Sequence, residues 1–440
     1  MTRDVPAKRP FGLPSATALV VASMIGAGVF TTSGFALADL GDRSVVLLAW
    51  LVGGAIALTG AATYGQLSTR IQESGGEYVF LSRAIHPAVG FVAGWVSLLA
   101  GFTGAIAFAA SAFETYALPA EVRPGWIPEG GLAVAAILLL AAVHGLSLNA
   151  GLRFQNAVVL AKLLFLSGFV FYALFELQSA GWVGLSSPTP ERPFSPYAFA
   201  NSLVWISLSY SGFNAAVYVL GEVREPKQTV PRAMLWGTLG TTLLYFALNA
   251  IFLYAPQPED LTGKGDVAAV AAQALGGGWL VGATRAVIAI ALLTSVSSMI
   301  IAGPRVYDRM ARDGVFPRWL AIHPDKGGVA PVASIAFQAG LASVVVLVST
   351  LEDLLAYLGF TLSLCAAATA ASLFILRSRE ASSSSPTLLV APAFYVACTI
   401  GLATLAGVNR PGQLLAALLT IASGLVLYAV IGNRPTSRGA

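Results

Sequence analysis

Long apolar runs separated by short polar connections make up most of the chain. Twelve of these runs approach or exceed the roughly 20 residues that a helix needs to cross a bilayer core about 30 Å thick. Charged side chains are rare inside the runs and collect in the connections. The pattern predicts an all-α polytopic membrane protein with twelve transmembrane spans. The predicted spans cover residues 12–37, 44–68, 87–117, 131–149, 155–178, 197–220, 233–255, 276–302, 331–350, 353–377, 387–408 and 412–432.

The first span is interrupted by two glycines, Gly26 and Gly28, in the sequence SMIGAGVF at residues 23–30. Glycine weakens a helix by about 1 kcal/mol relative to alanine, and a helix that opens inside lipid leaves backbone groups that need partners. We therefore expect a break that lines a cavity, which makes this stretch the predicted substrate site. Close helix packing through small residues is the alternative interpretation.

A second interruption, LSYSGFNA at residues 208–215, lies in the sixth span. Asn214 should turn inward, because an unsatisfied amide is costly in hydrocarbon; it would either contribute to the site or join helices by hydrogen bonds. Breaks in the first and sixth spans are what an inverted repeat of five plus five helices places at corresponding positions, with substrate near the midplane. The sequence therefore predicts two repeats of five spans each.

Orientation follows from Lys and Arg, which collect in cytoplasmic loops. With the N-terminus inside, most of the 25 Lys and Arg residues lie on the inner side, so both termini are predicted to be cytoplasmic, in a cell (inner) membrane. The net charge of +4 then reflects membrane sidedness and does not indicate nucleic-acid binding. The predicted parts are a cytoplasmic tail at 1–10, a first repeat at 11–178, a second repeat at 197–377, two additional spans at 387–432 and a cytoplasmic tail at 433–440.

Composition supports this class and excludes others. The 440 residues are 56% hydrophobic and 10% charged, with a mean hydropathy of +0.76, whereas soluble domains carry about 25% charged residues. The two cysteines, Cys365 and Cys398, fall inside apolar spans and offer neither a disulfide framework nor metal-ligand spacing. Three histidines without a nucleophile, metal or phosphate-binding arrangement around them do not indicate an enzyme. No cofactor and no metal are expected.

Lys162 lies about two turns inside the fifth span, in AVVLAKLLF at residues 157–165. An isolated lysine near the bilayer centre costs about 2.5–3.5 kcal/mol on insertion scales, and such residues usually face a protein interior and carry function. The alternative is a long stem that brings the amine to the inner interface. In the eighth span Ser295 and Ser298 add hydroxyls, although hydroxyls in membrane helices most often bond to their own helix.

Two connections on the predicted inner side carry distinct patterns. Gly75, Gly76, Glu77 and Tyr78 follow the second span, and the paired glycines predict a tight turn. This turn is either a simple connector or a gate contact on the cytoplasmic side. After the eighth span, residues 303–317 are basic and amphipathic, which predicts a segment along the inner interface.

Together these motifs resemble the amino acid, polyamine and organocation (APC) superfamily of transporters, and within it the amino acid permeases related to the L-type transporters. Six pieces match in family order across spans 1 to 8, whereas spans 9 to 12 match only in number and hydropathy. The matching pieces are Ile25 to Phe30, Gly75 to Tyr78, Lys162, Tyr210 to Asn214, Glu222 to Pro231 and Pro304 to Gly314.

The resemblance implies the twelve-helix LeuT-type fold with broken first and sixth spans, and transport by alternating access. It also implies that backbone amides at the first break receive the substrate carboxylate, while carbonyls at both breaks receive the ammonium. The partial charges at helix ends agree with these roles. The implied substrate-binding residues are Met24, Gly26, Ala27, Gly28, Leu208, Tyr210, Ser211, Gly212, Phe213 and Asn214.

The resemblance further implies a coupling role for Lys162. In sodium-coupled relatives a cation lies between spans 1 and 8, and here the lysine ammonium would project to that place, close to the first break and to Ser295 or Ser298. Because two cations cannot share the place, we expect sodium-independent transport, with the amine bonded to a carbonyl of the first span. Burial disfavours a charged amine and carbonyl contacts favour it, so the sequence leaves proton coupling open.

Two departures from the family pattern bear on the gate and the substrate. Leu208 stands where family members often carry an aromatic gate, so occlusion would rely on Tyr210, Phe213 or another group. No Asp or Glu lies between Tyr197 and Leu220, where the arginine/agmatine exchangers have an acid. A site without that acid favours neutral amino acids over guanidinium compounds and polyamines.

The predicted function is therefore secondary transport or exchange of neutral L-amino acids. The alternative is a transporter-like sensor without transport, which usually carries an added soluble domain, and a channel would need charge rings or carbonyl filter repeats. Neither pattern is present in the sequence. Relatives that pair with a single-span glycoprotein do so through a cysteine in the outer loop between spans 3 and 4. That loop, residues 118–130, has no cysteine, so no covalent partner subunit is expected.

Overall fold

A computed structural model describes residues 12–73, 75–146, 149–179, 181–186, 193–320, 332–380 and 389–432. Within these ranges the chain forms helices and their connections, with no β-strand. The predicted tails at residues 1–10 and 433–440 lie outside the described residues. The architecture below is therefore that of the predicted spans and the loops between them.

The part of the chain predicted as the first repeat contains eight α-helices and one π-helical stretch. The α-helices are α1 (Leu13–Met24), α2 (Gly28–Leu40), α3 (Arg43–Arg70), α4 (Gly76–Ala84), α5 (Pro87–Val96), α6 (Ala105–Ala117), α7 (Gly131–Leu146) and α8 (Asn149–Ser179). The π-helical stretch, Ser97–Gly104, joins α5 to α6. Short 3-10 turns at Ala120–Val122 and Val183–Ser186 lie in the connections.

The remaining helices lie on both sides of the second interruption, which follows the first of them. They are α9 (Pro196–Ser209), a 3-10 helix at Ala215–Glu222, α10 (Pro226–Tyr254), α11 (Pro258–Leu261), α12 (Val267–Arg312), a 3-10 turn at Arg318–Leu320, α13 (Val332–Val348), α14 (Leu351–Ser378), α15 (Val390–Asn409) and α16 (Pro411–Gly432). The 3-10 helix after α9 begins inside the predicted sixth span and ends two residues beyond it.

Helix ends follow local sequence signals. Asp42 caps α3 by accepting a hydrogen bond from the Ser44 amide at 2.7 Å, which satisfies one of the amides that a helix start leaves unpaired. Gly41, with φ of 71°, ends α2 in the left-handed conformation that glycine adopts without strain. At α14, Thr350 and Asp353 form a reciprocal capping box. These local signals define the helix ends more closely than hydropathy alone does.

The number of membrane-spanning helices can be judged from length and composition. Eight helices among the described residues are long and apolar enough to cross a membrane, and nine if the bent pair α1 and α2 is counted as one span. Shorter apolar helices, α7 and α13, lie at the predicted fourth and ninth spans. The chain is therefore an all-helical polytopic membrane protein, while the count of twelve spans and the inverted repeat stay predictions.

The eighth predicted span differs from the structure in length. Instead of residues 276–302, α12 runs over 46 residues from Val267 to Arg312. Gly277, with φ of 64°, interrupts its helical geometry near the start, and Pro304 lies within it without ending it. The first part of the basic segment predicted from residue 303 therefore continues α12, because proline removes one amide donor but can kink a helix without stopping it.

An aromatic cluster fixes the packing around the two interruptions. Trp50 of α3, Tyr210 after α9 and Tyr245 of α10 have ring centroids 5.2 to 5.9 Å apart, and all three are buried. In addition, α10 packs against α3 and α1, while α2 packs against α9. Edge-to-face and tilted ring pairs add about 0.5–1.5 kcal/mol beyond their buried area. The cluster thus holds α3, α9 and α10 around the ends of the broken helices.

Replacing Gly34 with alanine should destabilise the protein. The added methyl would meet the carbonyl oxygen of Lys264 and lie 2.9 Å from that of Leu261, and overpacking of this kind costs about 1–3 kcal/mol. Gly240→Ala is the matched control, because no atom lies within 4 Å of its added methyl. Thermal unfolding in detergent should give a lower midpoint for Gly34→Ala and no decrease for Gly240→Ala. Equal midpoints would contradict this packing explanation.

Candidate substrate site

The two helix interruptions are in direct contact. The axes of α1 and α2 differ by 42° across the first break, and the turn at 210–214 separates α9 from the 3-10 helix. A methyl group on Gly28 would lie 2.9 Å from Cα of Ser209. A methyl group on Gly212, whose φ is 100°, would lie 2.8 Å from the carbonyl oxygen of Ser23. Glycine is therefore required at both positions for the breaks to approach each other.

The start of α2 presents backbone amides that have no partner. In the described part of the chain, the N–H groups of Ala27 and Gly28 donate to no acceptor, whereas the Gly26 amide donates to the carbonyl of Met24 at 2.8 Å. Unpaired amides at a helix N-terminus carry partial positive charge and bind anions, carboxylates included. These two amides occupy the place predicted for the substrate carboxylate.

Tyr245 connects the two breaks. Its hydroxyl lies 2.6 Å from the Met24 carbonyl and 3.1 Å from the Ser209 carbonyl, and it can donate to one of them at a time. The Met24 carbonyl also accepts a hydrogen bond from the Gly26 amide. The Leu208 carbonyl accepts one from the Ser211 amide at 3.0 Å. Carbonyls predicted to receive the substrate ammonium at Met24 and Leu208 are thus already engaged within the protein in this conformation.

Lys162 of α8 reaches the first break. The side chain is 3% exposed, and its amine donates to the carbonyl oxygen of Ile25 at 2.6 Å. Ser295 and Ser298 instead bond within their own helix. The Ser295 hydroxyl donates to the Ala291 carbonyl at 3.2 Å, and the Ser298 hydroxyl donates to the Ser295 carbonyl at 2.9 Å. The structure therefore brings the lysine together with the first break through a hydrogen bond and shows the two serines bonded within α12.

The side chains predicted at the second break pack into aromatic and polar contacts. The Tyr210 hydroxyl donates to the Trp50 carbonyl at 3.0 Å. The Phe213 ring packs edge-on against Tyr64, with centroids 5.3 Å apart, and Asn214 donates to a carboxylate on α4. Ser211 and Gly212 are half-buried. Tyr210 and Phe213 are buried against α3, which leaves the backbone of this turn as the part of the second break that adjoins α1.

Hydrogen bonds on the other side of the break fix the position of α2. The Ser33 hydroxyl donates to the Asn249 side chain at 2.5 Å and accepts from the Trp50 indole at 2.9 Å. Thr32 and Ser209 share a hydrogen bond of 3.2 Å. These contacts attach α2 to α10, α3 and α9. They hold its free N-terminal amides in a defined position relative to the second break.

Sequence reasoning missed two residues of α10, Tyr245 and Asn249. They lie one turn apart, and the Asn249 side chain donates to the Tyr245 carbonyl at 2.8 Å. Polar residues at positions i and i+4 of an apolar span share one face of the helix, so this spacing could have identified them. Glu77 was noted in its loop but was not assigned to the site.

Two other classes of site can be assessed from the same residues. Cys365 and Cys398 are free cysteines. Over the described ranges, no three His, Cys, Asp or Glu side chains are grouped as metal ligands would be. The candidate site therefore consists of backbone amides and carbonyls, neighbouring hydroxyls and the Lys162 amine.

Comparison with known proteins identifies the family of the chain. The sequence profile described as "Amino acid permease" matches residues 11–432. The chain belongs to the amino acid permease family. Across 96% of its length it is 25% identical to the Asc-type amino acid transporter 1 of Mus musculus, of which it covers 81%. It is 26% identical to the large neutral amino acids transporter small subunit 2 of Homo sapiens, over 85% of this chain and 70% of that protein.

A bacterial relative has a similar degree of likeness. The serine/threonine exchanger SteT of Bacillus subtilis (strain 168) is 26% identical over 90% of this chain and 92% of its own length. The resemblance inferred from the six motifs is therefore confirmed, and the chain is an L-type-like permease of the APC superfamily. Members of this group are transporters and not enzymes.

Alanine at Gly26 and at Gly28 should have different effects. At Gly26 the nearest atom to an added methyl is 3.9 Å away, whereas at Gly28 the methyl would meet the Ser209 backbone at 2.9 Å. We expect Gly26→Ala to keep the unfolding midpoint of the wild type while weakening substrate affinity about tenfold, equivalent to about 1.4 kcal/mol. Gly28→Ala should lower both stability and uptake. Unchanged affinity in a folded Gly26→Ala protein would show that substrate does not bind in the open space beside Gly26.

Proposed function

We propose that the protein is a secondary transporter or exchanger of neutral L-amino acids that works by alternating access. The observation that carries the proposal is the contact between the two helix breaks, with the unpartnered amides of Ala27 and Gly28 at their junction. Family membership and the names of the three relatives support it. The proposal includes twelve spans in a five-plus-five inverted repeat, with both termini cytoplasmic in a cell (inner) membrane.

The proposed recognition uses backbone groups for both charged ends of the substrate. The carboxylate binds at the start of α2, and the ammonium binds carbonyls at the end of α9, where a helix C-terminus carries partial negative charge. Because the Met24 carbonyl lies 2.6 Å from the Tyr245 hydroxyl, an ammonium reaches it only by taking the place of that hydroxyl. Tyr245 therefore exchanges its partner from Met24 to Ser209 when substrate is bound.

The proposed preference for neutral side chains follows from the charges near the breaks. No Asp or Glu lies between Tyr197 and Leu220, and Lys162 contributes a positive charge beside the first break. A second cationic group on the substrate would find no acid in this segment and would be repelled by the Lys162 amine. The relatives named for serine/threonine exchange and for large neutral amino acids are consistent with this preference.

The proposed coupling is sodium-independent, with Lys162 in place of a cation. The amine ties the carbonyl of Ile25 to α8, so movement of the first break changes the environment of the lysine. Release of its proton during the cycle is part of the proposal as a means of proton coupling, because burial disfavours the charged amine whenever the carbonyl contact is lost. Ser295 and Ser298 would join this group only after turning from their own helix.

The chain is proposed to act without a covalently attached partner. The name of the human relative describes it as a small subunit. In this chain the connection from Leu118 to Gly130 contains no cysteine, and both cysteines, Cys365 and Cys398, lie in predicted spans. This connection therefore has no thiol that could form a disulfide with a second protein.

Competition experiments should distinguish neutral amino acids from amines. Uptake of a labelled neutral L-amino acid into proteoliposomes should be inhibited by other small neutral L-amino acids. Esters and decarboxylated amines should compete at least about tenfold more weakly, since they lose the carboxylate that binds the α2 amides (about 1.4 kcal/mol or more). Strong inhibition by agmatine or putrescine would contradict the neutral-substrate assignment, and binding without any uptake would favour the sensor alternative.

Uptake by the wild type should be equal in sodium and choline buffers, because the Lys162 amine takes the place of a cation.

Lys162→Ala should lower the uptake rate, because the Ile25 carbonyl loses its buried donor, and should change the response to an inward proton gradient. Lys227→Ala, which removes an exposed lysine, is the control and should behave as wild type. Sodium-driven accumulation by the wild type would refute the replacement of a cation by Lys162. A Lys162→Ala protein with unaltered affinity, rate and pH dependence would remove the lysine from the coupling mechanism.

A further inference from the structure

Glu77, at the start of α4, has a buried carboxylate with three hydrogen-bond donors. The side chain is 8% exposed. One oxygen accepts from the Tyr64 hydroxyl at 3.1 Å and from the Asn214 amide at 2.5 Å. The other oxygen accepts from the Tyr218 hydroxyl at 2.5 Å. The donors come from α3, from the last residue of the second break and from the 3-10 helix that follows it.

All three donors of Glu77 are neutral. Among the ion pairs of the described residues, Glu77 takes part in none. Hydrogen bonds to a carboxylate are about twice as strong as those between neutral groups, yet water can replace such donors when the group becomes exposed. A carboxylate held in this way forms a firm contact when buried and can release it to solvent without separating from a fixed cation.

The element that Glu77 holds has little internal stability of its own. Residues 215–222 form a 3-10 helix, whose hydrogen-bond geometry is poorer than that of an α-helix, and Val219 departs from helical geometry with φ of −113°. Gly76, with φ of 60°, allows the Tyr218 ring to approach so closely that an added methyl would lie 2.8 Å from it. The segment packs mainly against α10, α1 and α3, and the bonds from Asn214 and Tyr218 to the Glu77 carboxylate attach it to α4.

On its other side α4 is attached to different helices. It packs against α5 and α14, and the neighbouring residue Tyr78 donates its hydroxyl to Asp313, just beyond α12, at 2.5 Å. Glu77 and Tyr78 thus connect the part of the sixth span that follows the break with helices that carry neither break. Asn214 is both the last residue of the second break and a donor to Glu77. A movement of the backbone at the break therefore changes the hydrogen bond to the carboxylate directly.

We propose that Glu77 is a positioning residue that holds the inner half of the sixth span against α4, and that release of its three hydrogen bonds opens the site toward the cytoplasm. This inference rests on the proposed alternating-access function and adds to it the residue that controls the inner side. Glu77 acts through Asn214 and Tyr218 and does not itself contact substrate.

A thiol-accessibility experiment tests the proposal. The two native cysteines are replaced (Cys365→Ala and Cys398→Ala), and Ala216→Cys introduces a reporter in the 3-10 helix at a position that is 0% exposed. The rate of modification by a water-soluble maleimide is measured from the cytoplasmic side with and without Glu77→Gln. The glutamine keeps the size of the side chain but removes the charge and turns an acceptor into a donor. We expect modification about tenfold faster in Glu77→Gln.

Two further variants separate a specific contact from a general loss of packing. Glu73→Gln removes an exposed carboxylate of the same loop, paired with Arg83 at 2.9 Å, and should leave the modification rate unchanged. Tyr218→Phe removes one donor and should accelerate modification less than Glu77→Gln does. Combined with Glu77→Gln it should add less than it does alone, because both changes weaken the contact between the same two side chains. Tyr218→Phe also tests the proposal if Glu77→Gln does not fold.

Transport kinetics provide a second readout that a purely structural role would not move. If the closed inner side is less populated, the fraction of protein that can bind substrate from outside decreases. The KM for substrate added outside should therefore increase several-fold in Glu77→Gln, while the KM for substrate added inside should not increase. Unchanged modification rates and an unchanged KM on both sides, in a wild type that transports, would refute the role of Glu77. Absence of uptake by the wild type would instead refute the proposed function.

Discussion

Backbone groups at a break inside a membrane helix need partners, and the way this chain supplies them determines the rest of the site. The Ile25 carbonyl receives the amine of Lys162 and the Met24 carbonyl receives the hydroxyl of Tyr245. Both donors come from helices distant in sequence, α8 and α10. The acceptors of the break are thereby satisfied, whereas the amides of Ala27 and Gly28 are not. An unpaired donor in an apolar interior is unfavourable, which is the physical reason for proposing that the substrate carboxylate binds there.

The two sides of the candidate site are held with different firmness. On one side α2 is attached by short side-chain bonds, such as that from Ser33 to Asn249, and by the buried aromatic cluster around Trp50. On the other side the segment after the second break is a 3-10 helix that is attached to α4 through the Glu77 carboxylate. If the 3-10 segment moves away while α2 keeps its contacts, the site can open to one side of the membrane and its α2 side stays intact.

Much of this arrangement could be predicted from the sequence, for identifiable reasons. Spans are long and strongly apolar, and glycine acts locally, so the breaks near Gly26 and Gly212 could be placed within a few residues. Contacts between distant segments could not, because the spacing of Tyr245 and Asn249 indicates only a shared polar face and not that Tyr245 reaches both breaks. Gly26 and Gly28 also looked equivalent. Only the neighbouring Ser209 shows that Gly28 is required for close packing while Gly26 is not.

The π-helical stretch Ser97–Gly104 sets the rotational register of the helix that follows it. Hydrogen bonds from i to i+5 accommodate one residue more than an α-helical turn does, and one residue corresponds to about 100° of rotation. On α6 this register directs the Tyr116 hydroxyl to the Phe30 carbonyl, 2.7 Å away. Deleting one residue from the stretch would turn α6 by about 100° about its axis. The Phe30 carbonyl, beside the first break, would then lose the Tyr116 hydroxyl although neither of these two residues had changed.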